Sequence, residues 1–286
     1  MGKLVRELII LNKVQALSKI MLQASSSYLD WNNWLDVLGK AYDSGIFALI
    51  IGPKGTGKTT LVREFAAKKG AKLESINFSL RTRESHLIGT KTLNDGTIGF
   101  DEGILIKSMK EGSILYLDEL NAAEADVLLR LDEALDDRRQ IVLKESTGET
   151  INANQKWFVI ATINPLTHVG TKELPPQLLS RFPVRIRLDY PPEETEFQIV
   201  KQYMKGNQDD KLMQGIKLAN TLRQAAAVEE LYYSPSLRET IAFAKLLDAG
   251  LDAKKSADIV FANVYSQWGN VEYQKVSDII TSMFGR

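Results

Sequence analysis

The chain has 286 residues, 44% hydrophobic and 25% charged, which suits one large globular domain or a large and a small one. Lys+Arg and Asp+Glu both total 36, so no net basic surplus marks it as a polyanion binder. Zero cysteines exclude disulfides, thiolate metal sites and cysteine nucleophiles, and two histidines, His86 and His168, are too few for a histidine-rich metal cage.

Apolar positions at Leu4, Leu8, Leu11, Leu17 and Met21 predict a helix within residues 3–24. Lys3, Arg6, Glu7, Lys13 and Lys19 interrupt every window long enough for a membrane span or a signal peptide, so a cytoplasmic protein is expected. A second helix is predicted over 30–42, with Trp31, Trp34, Leu35 and Leu38 on the face that packs against the rest. Residues 1–44 read together as a helical extension. From residue 46 short apolar runs appear at 47–51, 73–78, 114–117, 158–161 and 184–188, separated by helical segments. Short apolar strands alternating with helices indicate an α/β fold with a five-stranded parallel sheet covered on both faces. Tyr190-Pro191-Pro192 breaks the pattern, because proline removes a donor and turns its predecessor away from helix. Beyond it only helical periodicity remains, near 193–204, 210–230, 235–248, 253–267 and 272–284. The expected division is an α/β domain over 45–190 and a smaller all-helical domain over 191–286.

The strongest motif is Gly52-Pro53-Lys54-Gly55-Thr56-Gly57-Lys58-Thr59, followed by Thr60, between a predicted strand and a predicted helix. Glycines let backbone N–H groups converge on phosphates, and the helix that follows aims its positive end at them. Lys58 adds a point charge for the β- and γ-phosphates, and Thr59 offers an oxygen to Mg²⁺. A nucleoside triphosphate and magnesium are the implied ligands. About 60 residues on, an apolar run over 114–117 ends in Asp118-Glu119. Carboxylates at the C-terminal end of such a strand sit where open α/β sheets bind ligands. Asp118 would hold the magnesium through water, and Glu119 would polarise the attacking water. A third strand ends in Asn164-Pro165, where the Asn164 amide could reach the γ-phosphate or the water; alone, the dipeptide also reads as a turn.

Taken together these residues resemble the AAA+ ATPases over roughly 45–286, with ATP as the implied nucleotide. The resemblance makes Asn164 the sensor-1 residue. Glu173-Leu-Pro-Pro-Gln-Leu-Leu-Ser-Arg181-Phe182 is similar to the stretch ending in an arginine finger, so Arg181 is the residue expected to act in trans. Ser234-Pro235-Ser236-Leu237-Arg238 resembles the sensor-2 element that opens a lid helix, and Asn77 matches the polar switch near the catalytic glutamate. Asp95-Gly96 between β-forming residues predicts a hairpin inside 87–103, and a second hairpin is predicted from 140–143 and 150–152. The two insertions resemble those of the MoxR and dynein-related branch, which includes CbbQ, NorQ and GvpN proteins.

That resemblance implies a ring, usually of six, that remodels or activates a client protein, with a von Willebrand factor A domain protein as a possible partner. The alternative is a nucleic-acid-translocating or replication-type ATPase. The first hairpin carries Lys91 as its one base, and the second sets Lys144 against Glu145 and Glu149, which is little positive charge for a DNA-gripping loop. Arg138-Arg139 reads as charge ending a helix, and Tyr232-Tyr233 as lid core.

Overall fold

The structure, a computed structural model, describes residues 28–94, 97–144, 148–166 and 171–285. The helix expected within 3–24, the Asp95-Gly96 turn and His168 lie outside the described residues.

The first described helix, α1 (Trp34–Asp43), starts four residues after the predicted start at residue 30. Asp30 is the reason: its carboxylate accepts the Trp34 and Leu35 N–H groups at 2.8 and 2.9 Å, and Asn33 takes a left-handed conformation at φ 58°. Leu38 and Ala41 are buried, while Trp34 and Leu35 pack half-buried on the core. Trp31 precedes the helix and does not belong to its packed face.

Five strands form the central sheet: β1 (Ala48–Ile51), β2 (Leu73–Asn77), β5 (Ile114–Asp118), β8 (Phe158–Ile163) and β9 (Val184–Arg187). Their order is β2-β5-β8-β1-β9 and every pairing is parallel. The middle strands are buried on both faces, as their unbroken apolar runs require. Register brings the carboxyl ends into line: Asn77 opposite Asp118, Leu117 opposite Ala161, Ile51 opposite Ile163. The polar residues that follow these strands are thereby set along one edge.

Two hairpins interrupt the alternation. After α2 (Lys58–Lys69) and β2, a short helix α3 (Glu84–Leu87) leads into antiparallel β3 (Gly89–Asn94) and β4 (Thr97–Glu102), then α4 (Ile104–Glu111). After β5, α5 (Ala125–Leu135) leads into antiparallel β6 (Gln140–Val142) and β7 (Thr150–Asn152). Arg138 and Arg139 stand beyond the end of α5, not in its last turn. Arg138 pairs with Asp136 at 3.0 Å. Arg139 lies over the Phe47 ring and donates to the Gly45 carbonyl, tying this hairpin to the loop before β1.

The remaining helices are α6 (Pro176–Ser180), α7 (Glu193–Lys201), α8 (Asp209–Ala227), α9 (Leu237–Asp248), α10 (Ala253–Ala257) and α11 (Asn270–Phe284). Between α10 and α11 the expected single helix is irregular, with a π turn at Asp258–Ala262 and a 3-10 turn at Asn263–Trp268. Here buried Tyr265 donates to the Tyr233 carbonyl at 2.7 Å and Trp268 stacks on Tyr233, contacts that outweigh regular winding. Tyr232 is 77% exposed against Trp268, so it is not lid core; Tyr233 is the packed member of the pair. Buried apolar residues fall into two clusters, one from Leu38 to Leu188 and one from Val200 to Ile280. The second encloses a buried ion pair, Arg223 to Glu196, at 2.6 and 2.9 Å. Among the described residues no helix is long and apolar enough to cross a membrane.

Candidate functional site

A cleft of about 300 Å³ opens where the carboxyl edge of the sheet meets the C-terminal helices, within the size range of small-molecule sites. Lys54, Gly55, Thr56, Gly57, Lys58, Thr59 and Thr60 form its floor, with Asp118, Glu119 and Asn164 beside them and Arg238 opposite. Gly52 and Pro53 stand just outside it. Gly52 is bare because a Cβ would collide with the Leu188 carbonyl oxygen. Gly55, at φ +70°, sits under Ser236 of the α9 N-terminus, where no side chain would fit.

Lys58 is 7% exposed and donates to the carbonyls of Gly52 (2.6 Å) and Pro53 (2.8 Å) and to Asn164 Oδ1 (2.9 Å). Burial pulls its ammonium down to about 8, against the opposing attraction of Asp118 and Glu119. All three protons rest on neutral oxygens, so an incoming phosphate finds a cation with no carboxylate partner to displace. Asn164 bridges the site, since its Nδ2 donates to Glu119 Oε1 at 3.3 Å while its oxygen holds Lys58. Glu119 follows β5 in a left-handed conformation, φ 55°, which costs a non-glycine residue about 1 kcal/mol and swings its carboxylate into the cleft.

Asp118 Oδ1 accepts from Tyr116 and Thr162, both at 2.7 Å, while Oδ2 has a longer contact, 3.4 Å, to Thr59 Oγ1. A hydroxyl and a carboxylate lining one cleft at this separation are the hard oxygen donors that Mg²⁺ takes, so the donor set fits that ion.

Asn121 was not legible as a site residue. Buried at 2% exposure, its amide donates to the Asn164 carbonyl at 2.8 Å and accepts the Asn164 N–H at 3.3 Å, clamping that residue's main chain. A polar amide between Leu120 and Ala122 was the available signal. Tyr28, Leu29 and Trp31 also line the cleft, facing Ile199, Tyr203, Leu237 and Ile241. This apolar end lies beside the P-loop and could take a base.

Two expected residues lie elsewhere. Asn77 ends β2 beside Asp118 in register, but its side chain faces a separate shallow depression with Ser79, Thr82 and His86. Arg181 follows α6, away from the cleft of its own chain, paired with Asp132 at 3.0 Å and Asp136 at 3.2 Å. Arg238 is exposed, one residue into α9, whose N-terminus is capped by Ser236 and Glu239.

The C-terminal helices are tied to the P-loop. Tyr190 donates to the Lys54 carbonyl at 2.9 Å, and the Arg223 guanidinium lies 4.3 Å over its ring. Burial pushes the Tyr190 phenol up to about 12, so it remains a donor. Arg223 also donates to the Pro235 carbonyl at 2.8 Å, just before α9.

Comparisons with known proteins agree with this geometry. Residues 48–182 match the AAA domain of the dynein-related subfamily. An uncharacterized protein of Staphylococcus saprophyticus is 35% identical over 180 residues, 61% of this chain and 67% of that one. The denitrification regulatory protein NirQ of Pseudomonas aeruginosa is 28% identical over 246 residues, covering 86% and 93%. In fold the chain is similar to a Cytophaga hutchinsonii protein assigned as an ATPase, at TM-score 0.52 and 20% identity, covering 93% of each. It is also similar to Brucella abortus NtrX crystallised with ADP, at TM-score 0.52 and 15% identity, covering 97% and 75%. With its parallel sheet, paired hairpins and P-loop cleft, the chain belongs to the AAA+ ATPases, in the dynein-related branch that includes the MoxR-type proteins.

Proposed function

We propose that the protein is a magnesium-dependent ATPase that works in the cytoplasm as a homo-oligomeric ring, six subunits in number, to remodel or activate a partner protein. The observation that carries this reading is the convergence of Lys58, Thr59, Asp118, Glu119 and Asn164 on one cleft. ATP would lie with its phosphates on the loop at 52–59 and its base between Trp31 and the α7 and α9 side chains. Magnesium, held by Thr59 and through water by Asp118, would neutralise charge on the β- and γ-phosphates. Lys58 leaves its carbonyl partners for phosphate oxygens. Glu119 orients the attacking water and takes its proton, and Asn164 holds the water or the γ-phosphate in line. Residues 45–190 serve as the nucleotide-binding domain and 191–286 as the lid, with Arg238 reaching the phosphates from the lid side. Asn77 acts as a switch when Glu119 turns toward it.

Among the described residues the cleft's own cations are Lys54, Lys58 and Arg238. Arg181 lies on another face, and we assign it to a neighbour's site, where an arginine finger contributes roughly 10³–10⁵ in rate. Within one chain it is neutralised by Asp132 and Asp136, so assembly exchanges that pair for a phosphate. NirQ carries a regulatory name, which favours action on another protein, a von Willebrand factor A domain protein among the candidates. DNA translocation is the second reading; the sparse basic charge on the hairpins does not favour it. The test is ATPase rate per protomer against protein concentration, with and without DNA. A rate that climbs with concentration and ignores DNA is expected; stimulation by DNA would give the second reading first place.

A further inference from the structure

Tyr116 lies within the apolar run of β5 and is 2% exposed, yet its hydroxyl does not end in the core. It lies 2.7 Å from Asp118 Oδ1, 3.1 Å from Thr59 Oγ1 and 3.5 Å from Thr162 Oγ1. Thr162 donates to Asp118 Oδ1 at 2.7 Å and accepts the Glu119 N–H at 3.1 Å. Each of these hydroxyls has one proton, and counting protons orders the cluster. Tyr116 and Thr162 both spend theirs on Asp118 Oδ1. The phenolic lone pairs are then free to accept the proton of Thr59, and at 3.1 Å they are nearer to it than the alternative acceptor, Asp118 Oδ2 at 3.4 Å. Once that proton points at Tyr116, the Thr59 lone pairs are left for a cation in the cleft. Asp118 Oδ1 is saturated, so Oδ2 is the carboxylate oxygen that remains for the cation's water shell.

We infer that Tyr116 is a positioning residue for magnesium: its hydroxyl turns the Thr59 proton away from the ion and fixes which Asp118 oxygen faces it. This rests on the magnesium-dependent ATPase reading above. Phenylalanine would fill the same space, but the Thr59 proton would then turn to Asp118 Oδ2, the oxygen needed for the ion's water shell, or into the cleft, and Asp118 Oδ1 would lose a donor.

The test compares the full chain with Tyr116→Phe, using a fluorescent, slowly hydrolysed ATP analogue in EDTA and across a Mg²⁺ titration. Affinity in EDTA should be unchanged, while the Mg²⁺ concentration that half-tightens binding rises roughly ten- to hundredfold, the usual loss for an outer-shell metal partner. Thr162→Val serves as the second variant, since it removes one Asp118 donor and leaves the Thr59 contact; its shift should be smaller. A wild-type Mg²⁺ dependence in Tyr116→Phe overturns the inference, as does an equal loss in EDTA or a Thr162→Val shift as large. If the wild type shows no Mg²⁺-dependent tightening, the ATPase reading fails and the inference with it.

Discussion

The cleft edge of the sheet and the C-terminal helices both bury charge, but they satisfy it in different ways. At the cleft, Lys58 rests on two neutral carbonyls and an amide, and Asn164 stands between it and Glu119. In the helices, Arg223 and Glu196 are closed on each other in a bidentate pair with no capacity left for a ligand. The first arrangement leaves a cation available at modest cost; the second fixes where α7, α8 and α9 meet. A buried charge whose partners are neutral is poised to exchange them, whereas a buried charge matched to its counterion is structural. Arg181 lies between the two cases: it is matched to Asp132 and Asp136, but at a half-exposed surface where water and a neighbour can compete.

The contrast can be broken at its most consequential point by Arg181→Ala. ATP binding should be retained while assembly-dependent turnover falls about 10³–10⁵-fold; turnover at the wild-type rate would show that Arg181 is no finger. Glu119→Gln should keep ATP bound and lower the single-turnover hydrolysis rate by about 10²–10⁴. Normal hydrolysis in that variant would assign the water to another group. Glu196→Gln tests the structural pair, because it leaves the Arg223 charge buried and unmatched. A loss of about 3–5 kcal/mol in denaturant unfolding is expected, and a loss below about 1 kcal/mol would mean that water reaches the arginine.

The poised lysine predicts a pH dependence. With Lys58 at about 8, most of it is charged at pH 7, and at pH 9 about a tenth is. Phosphate favours the charged form, so ATP affinity should fall by up to roughly tenfold from pH 7 to pH 9. A flat profile in an equilibrium titration would mean that the ammonium is less desolvated than its burial implies. The smallest effect is expected from Trp31→Ala, a loss of about three- to tenfold in ATP affinity with turnover at saturation unchanged, in line with one aromatic contact. An unchanged affinity would place the base elsewhere.

Much of this molecule is legible along the chain. The five strands fall at their apolar runs, both hairpins form where they are expected, and the loop at 52–59 joins strand to helix. These features depend on neighbours in sequence: alternation and apolar content for strands, glycine φ for the loop, an Asp-Glu at a strand end. Irregularity was not legible. The late start of α1 depends on the Asp30 carboxylate, the π and 3-10 turns after α10 on Tyr265 and Tyr233, and the exposure of Tyr232 on which neighbour covers its ring.

By itself the sequence determined that a nucleotide-binding α/β fold forms, because phosphate binding by backbone N–H groups needs a contiguous loop and a contiguous loop is written in consecutive residues. Tertiary structure decided which other groups attend that loop. Trp31 faces the cleft, Asn121 clamps Asn164, the Tyr116 hydroxyl reaches Thr59 and Arg181 pairs with Asp132, across separations of 43 to 57 residues in the last three cases apart from Trp31. Strand register and helix packing set those distances. A side chain's direction follows from which face its element buries, and that is settled only when the elements meet.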